Sequence, residues 1–237
     1  MDKIEQLLLQ AEEKLRPSFA ALDEIETVNT KRVLDAFRDA GVAVRHFAPS
    51  TGYGYDDIGR DTLAAIFANL FGTEAAIVRP QIACGTAAIS LCLFGLSRPG
   101  DHILSVTGMP YDTMDGVIGI SKCSPGSLRE MGVSFDYVNL DKDGNIDLPA
   151  VRAAIRENTR TIMVQRSRGY AWRPSLMPEA VAPLMEMIHK EYPQITVMVD
   201  NCYGEFVREK EPSHYGADVL VGSLIKNPGG GLAPTGG

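Results

Sequence analysis

Cysteine is scarce in this chain. The four residues at positions 84, 92, 123 and 202 include no Cys-x-x-Cys pair, which excludes a disulfide scaffold and a zinc ribbon. Three of them lie in apolar runs and read as reduced core residues. His46, His102, His189 and His214 stand far apart in sequence, so no local zinc-ligand pattern forms and no metal is expected. Basic charge is also short, with a net charge of −7 and a pI near 5.2. That balance argues against nucleic acid or an anionic membrane as the principal partner. No segment reaches the ~18 consecutive apolar residues of a membrane span. Residues Met1 to Arg16 carry Asp, Glu and Gln and lack the apolar centre of a secretion signal. A cytoplasmic location is the expectation. Internal repeats and low-complexity tracts are missing too.

What remains is an ordinary globular composition, 45% hydrophobic and 22% charged over 237 residues, enough for one large domain with its own core. Residues 3 to 14 and 19 to 47 carry helical periodicity, with Gly41 as an interruption, and predict an N-terminal helical arm over 1–50. GYGYDDIGR (52–60) reads as a glycine-rich loop. DTLAAIFANLFG after it reads as a helix capped by Asp61 and closed by Gly72. From 51 to 237 short apolar runs alternate with helical patterns. The runs are AAIVRP, HILSVTG, VSFDYVNL, TIMVQRS, ITVMVDN and DVLVGSL. Helices are expected after CGTAA, from Asp147 to Glu157 and from Pro178 to Tyr192. Such alternation defines the α/β class with a mainly parallel sheet. Ligands in such sheets bind beyond the carboxyl ends of the strands. Those ends carry Cys84-Gly85-Thr86, Tyr111, Arg166 to Arg168, Asp200 and Lys226. The closing GGGLAPTGG has neither a final helix nor a charged tail and reads as a larger protein cut short.

Lys226 follows an apolar strand and precedes three glycines. Desolvation there is expected to lower its pKa, and a neutral amine can attack an aldehyde. Taken alone, a strand-end lysine facing solvent is the commoner case. Asp200 ends ITVMVD, where a carboxylate needs a cation or a donor. It suits a pyridinium nitrogen, a loop cap or an ion pair equally well. Cys84, Gly85 and Thr86 open a helix whose first amides could approach a phosphate, or they form a tight strand-to-helix turn. Tyr111 could lie flat on an aromatic ring, or simply pack. Arg166, Arg168 and Arg173 flank Tyr170 and Trp172, as an anion site or as a solvated loop. Ser223-x-x-Lys226 also matches the serine β-lactamase pattern, but S-D-N and K-T-G are missing. DKDGNID (141–147) has its glycine in the fourth place, too early for an EF-hand, and reads as a turn.

One ligand would explain four strand ends at once. The order Gly85, Tyr111, Asp200, Ser223-x-x-Lys226, with YGYDDIGRDTL, VRPQIACGTAAI and SLIKNPGGGLAPTGG, resembles the fold type I pyridoxal phosphate enzymes. Within them it is similar to the cystathionine lyase and methionine γ-lyase branch, in particular to the aluminium resistance group. The resemblance implies a large domain built on a seven-stranded mixed sheet and, in the family, a smaller C-terminal domain that this chain does not contain. It implies pyridoxal 5'-phosphate as cofactor, with Lys226 as the Schiff-base lysine and proton carrier. Ser223, Gly85, Thr86 and Cys84 would lie at the phosphate, Tyr111 on the ring and Asp200 at the ring nitrogen. The implied activity is carbon–sulfur lysis of a small sulfur amino acid through a Lys226 aldimine, with a thiol leaving from Cβ or Cγ. Aminotransferases and aldolases use the same cofactor site, and a cut-short chain that holds cofactor without turnover is a further alternative. Tyr55 stands where the branch has a tyrosine that reaches the phosphate of a neighbouring subunit, which implies a homodimer or homotetramer with shared sites. The branch has an arginine two residues after that tyrosine. This chain has Asp57, which cannot bind phosphate, with Arg60 as a substitute three residues on.

Overall fold

A computed structural model describes residues 2–53 and 55–237; Gly54, within the glycine-rich loop read from the sequence, lies outside them. The first helix, α1, spans Lys3–Asp39. Asp2 caps it by accepting from the Ile4 and Glu5 amides at 2.8 Å, while the Glu5 carboxylate accepts from the Asp2 amide at 2.8 Å. This reciprocal arrangement satisfies donors that the first turn leaves open. The break expected between 14 and 19 does not occur. Pro17 sits inside the helix, removing one backbone donor, and its neighbours Glu, Lys, Leu and Ala are strong helix formers. The helix also stops short of residue 47. Gly41 turns the chain at φ +61°, the Val42 amide donates back to the Phe37 carbonyl at 3.1 Å, and a short 3-10 turn covers Val44–Phe47.

Helix α2 spans Ile58–Phe71 and is capped by Asp57 rather than by Asp61. The Asp57 carboxylate accepts from the Arg60 amide at 3.0 Å and from the Ser50 hydroxyl, which together hold it below the usual carboxylate range. Gly72 closes the helix in the left-handed region. Ala36 of α1 packs on Ile66, Leu70 and Phe71 of α2. The Asn29 amide group donates to the carbonyls of Phe206 and Arg208, and Arg32 donates to the Leu70 carbonyl at 2.7 Å. The second half of the arm is thus fastened to the body, while Leu8, Leu15 and Leu22 of its first half are exposed.

Five strands form the sheet: β1 (His102–Ser105), β2 (Ser134–Tyr137), β3 (Thr159–Gln165), β4 (Thr196–Asp200) and β5 (Val219–Val221). Their order is β2-β1-β3-β4-β5, and every pairing is parallel. The seven strands implied by the resemblance are therefore not present among the described residues. AAIVRP is not a strand. Of that segment, Arg79 exchanges backbone hydrogen bonds with Gly237, at 3.1 and 3.3 Å.

Helices cover both faces. Ile162 and Val164 of β3 and Val197 and Val199 of β4 pack against Leu184 and Ile188 of α6 (Ala182–Glu191) and Val151 of α5 (Leu148–Ala154). Met163 and Met198, between them in sequence, point the other way, as strand alternation demands. They meet Ile89 and Leu93 of α3 (Gly85–Leu96) and Met114 of α4 (Thr113–Ile118). Burial on both faces explains why these strands read as continuous apolar runs. In register, Gln165 stands beside Asp200 and Asp200 beside Val221, so the carboxyl ends form one edge. DKDGNID is a turn, in which the Asp141 carboxylate accepts from the amides of Asp143 and Asn145. All four cysteines are free; Cys202 is buried and Cys92 packs half-buried against the core, whereas Cys84 is half-buried and Cys123 is exposed. No described helix is long and apolar enough to cross a membrane.

Asp57→Ala should remove the α2 cap and cost about 1 kcal/mol. Urea unfolding of the two proteins in parallel measures it, and an unchanged midpoint would show that α2 does not depend on this cap.

Candidate active site

The carboxyl edge of the sheet gathers most of the residues singled out in the sequence. Asp200 ends β4 and is buried, at 2% exposure. Its carboxylate accepts from the Cys202 amide at 3.0 Å. Burial pushes its pKa up, against the pull of the Cys202 hydrogen bonds and of the Lys226 and Arg166 charges. Lys226 follows β5 on the turn 222–226, and its Nζ lies 4.1 Å from the centre of the Tyr203 ring, a cation–π placement. The expected depression of its pKa is not found. Burial lowers it, but Cys202, Tyr203 and Asp200 outweigh that effect and the amine stays above its ordinary value. In this state Lys226 is an ammonium at neutral pH.

Gly85 begins α3 against this turn. A Cβ at position 85 would stand 2.8 Å from Cys202 Sγ, 3.4 Å from Ser223 Cβ and 3.8 Å from Lys226 Nζ. Only hydrogen fits there as a side chain. Cys84 is the N-cap but makes no side-chain cap bond, so the first turn of a twelve-residue helix presents its amides without a side-chain acceptor from that residue. Thr86 Oγ1 lies 3.0 Å from the Tyr111 hydroxyl and 3.3 Å from Thr113 Oγ1. The Tyr111 amide donates to Gln165 Oε1 at 3.1 Å. Burial raises the Tyr111 pKa, opposed by the Thr86 and Thr113 hydrogen bonds and reinforced by Asp200. Lys226, Ser223, Cys84, Gly85, Thr86, Tyr111 and Asp200 thus share one edge, with Cys202 and Tyr203 among them.

Tyr55 does not join this group; its side chain is 99% exposed. Arg60 turns its Nε to Asp61 Oδ1 at 2.9 Å and its Nη1 to the Gly52 carbonyl at 3.4 Å. Two of the three arginines in QRSRGYAWRPS are braces. Arg166 is buried and donates to the carbonyls of Leu176 and Gly204 and to Asn201 Oδ1. Arg173 donates to the carbonyls of Gln165, Ser167 and Pro174. Arg168 is exposed and stacks over Trp172 at 5.6 Å.

Three residues of the site were not legible as such. Cys202 fills the space beneath Gly85, Tyr203 lies under the lysine amine, and Glu205 is 2% exposed behind the lysine turn. Tyr203 and Phe206 hold left-handed backbone, φ +65° and +61°, which bulky residues seldom adopt outside constrained sites. The sequence signal was only their place in the segment after β4. Burial pushes the Glu205 carboxyl up to about 7, assisted by the Glu211 and Asp200 charges and opposed by backbone hydrogen bonds.

The residues present fit pyridoxal phosphate. An orphaned, buried Ser223 hydroxyl and the hydrogen side chain of Gly85 leave a small polar cradle at a helix N-terminus, which suits a phosphate. A primary amine and a buried carboxyl lie on the same edge, and so does a phenol hydroxyl.

The Methionine gamma-lyase family model matches residues 4–237, and the chain belongs to that family. It is 52% identical over 217 residues to the uncharacterized protein YnbB of Bacillus subtilis, covering 91% of this chain and 52% of that one. A Bacillus cereus protein of known structure superposes with a TM-score of 0.95 at 46% identity, over 99% of this chain and 58% of the other. A carbon-sulfur lyase involved in aluminum resistance from Clostridium novyi superposes with a TM-score of 0.94 at 42% identity, over 100% and 56%. The chain spans about half the length of the curated relatives it matches.

A carboxyl whose pKa is raised on folding keeps its proton in the native state after the unfolded chain has released it, so stability falls as pH rises between the two values. For Glu205 that window runs from about pH 4.5 to about pH 7, with roughly 3 kcal/mol at stake. Glu205→Gln should flatten this part of the stability curve. Chemical unfolding at a series of pH values measures the difference between the two proteins, and parallel curves would show that Glu205 titrates normally.

Proposed function

We propose that this chain is the cofactor-holding part of a pyridoxal phosphate-dependent carbon–sulfur lyase acting on a sulfur amino acid. The observation that carries the reading is the closure of Gly85 on Ser223 and Lys226, which puts a phosphate cradle beside a primary amine at the sheet edge that ends in Asp200. The family and the likeness to the Clostridium novyi lyase support the reaction class.

When bound, the cofactor supplies an electrophilic aldehyde and a ring that can store the electron pair left at a substrate's Cα. The chain's own residues do the rest. Ser223, the Thr86 hydroxyl and the first amides of α3 hold the phosphate. Asp200, fixed by the Cys202 amide, presents its carboxyl to the ring nitrogen, and Tyr111, tied to Thr86 and Gln165, presents its ring and hydroxyl over the site. Lys226 is the amine that engages the aldehyde carbon and, once released, takes the proton from Cα and returns it. As an ammonium it would first have to give up a proton before bonding to the aldehyde carbon, with water as the other product.

The assembly is part of the proposal. A homodimer, or a homotetramer of such dimers, lets Tyr55 reach the phosphate of the neighbouring site, and the near-complete exposure of that side chain in its own chain supports this.

Incubation with pyridoxal phosphate followed by borohydride should fix the cofactor to the peptide containing Lys226 and to no other lysine. Lys226→Ala should take up none, and should lose at least ~10²-fold in turnover where turnover is measurable. A colourless protein with no labelled lysine would sink the reading. Release of ammonia, a keto acid and a thiol identifies the lyase, whereas transfer of the amino group to an added keto acid would move the protein to the aminotransferases.

A further inference from the structure

The segment 201–211 after β4 runs beneath the turn that carries Lys226, and one residue of it grips that turn at two points. Glu205 Oε1 accepts from the Ser223 amide at 3.4 Å. The Glu205 backbone carbonyl accepts from the Asn227 side-chain amide at 2.9 Å. Ser223 and Asn227 bracket Lys226. Gly222 is pressed on the same carboxyl, for a Cβ there would stand 2.7 Å from Glu205 Oε1. Glu205 Oε2 and Ser223 Oγ are both buried without a hydrogen-bond partner. A buried carboxyl is costly to keep unless it performs something an apolar side chain cannot, and here an alkyl group would leave the Ser223 amide without its acceptor.

We propose that Glu205 is a positioning residue that fixes the turn 222–227 and so sets where Ser223 and Lys226 stand against Gly85. Its meaning for the cofactor rests on the reading of Lys226 as the cofactor amine; the grip on the turn does not. The segment is braced in its own right. Arg166 donates to Asn201 Oδ1 and to the Gly204 carbonyl, and the Glu211 carboxylate accepts from the Asn201 side chain and from the Phe206 amide. Glu205 therefore acts from a fixed base. The Glu211 and Asp200 charges bear on it, and Arg166 and Cys202 feel its own.

Hydrogen exchange of the full chain, read by mass spectrometry on peptides covering 222–228, tests this without cofactor. Glu205→Ala should raise exchange in that peptide by ~10-fold or more while the β3 peptide stays as in the wild type. Glu205→Gln, which keeps an acceptor for the Ser223 amide, should stay within about 3-fold of wild type. Pyridoxal phosphate titration should then show weaker binding by Glu205→Ala than by Glu205→Gln. Wild-type protection of 222–228 in a folded Glu205→Ala would overturn the role. Should that variant fail to fold, exchange of 222–228 raised ~10-fold or more in Glu205→Gln, which keeps the acceptor, overturns it instead. Absence of cofactor binding in every protein would refute the reading of Lys226 and leave the exchange result to decide the clamp.

Discussion

At the carboxyl edge of the sheet the start of a helix is pressed directly against the side chains of another segment. The first residue of α3 lies so near the Cys202 thiol that a methyl group would clash with it, and within contact of Ser223 and Lys226. Everything argued about the site follows from that approach. It brings a helix N-terminus, with its unpaired amides and positive end, to the turn that bears the amine. A parallel sheet makes this possible, because all five strands deliver their carboxyl ends to the same edge, and the segments that follow them have nowhere else to meet.

The electrostatics of the edge set one cation against two buried carboxyls. Asp200 and Glu205 are both pushed toward their protonated forms by burial, while Lys226 is held toward its charged form by its neighbours. Burial and the Asp200 carboxyl drive the Cys202 thiol up, and the Lys226 charge opposes them. The charges at this edge are thus arranged around Lys226 and Asp200 rather than around the thiol.

Much of this edge could be read in the one-dimensional chain, because alternating apolar runs imply parallel strands, and residues placed just after such runs must share an edge. Lys226, Asp200 and Tyr111 are found that way, whereas Gly85 reaches the edge although the run before it, AAIVRP, is no strand. What could not be read depends on contacts between distant segments. Asp57 and Asp61 are equal as caps by residue type, and the choice of Asp57 is made by Ser50 and the Arg60 amide. AAIVRP carries Ile and Val, which favour strands, yet of its residues it is Arg79 that pairs by backbone, with Gly237, and the run does not join the sheet. Pro17 looks like a terminus but is absorbed by the helix around it. Tyr203 and Glu205 act through a loop whose shape is set by Arg166 and Glu211, and no local pattern announces that.

The close approach of Gly85 to Lys226 also says when the site can come into being. These residues are separated by most of the sheet in sequence, so bringing them together demands that nearly every loop between them already be closed, and loop closure is the step that costs chain entropy first and returns contacts last. A half-assembled chain would own the amine and the helix end without the pocket. A small molecule that requires both would recognise the finished fold alone, and its attachment would draw the folding equilibrium forward by mass action.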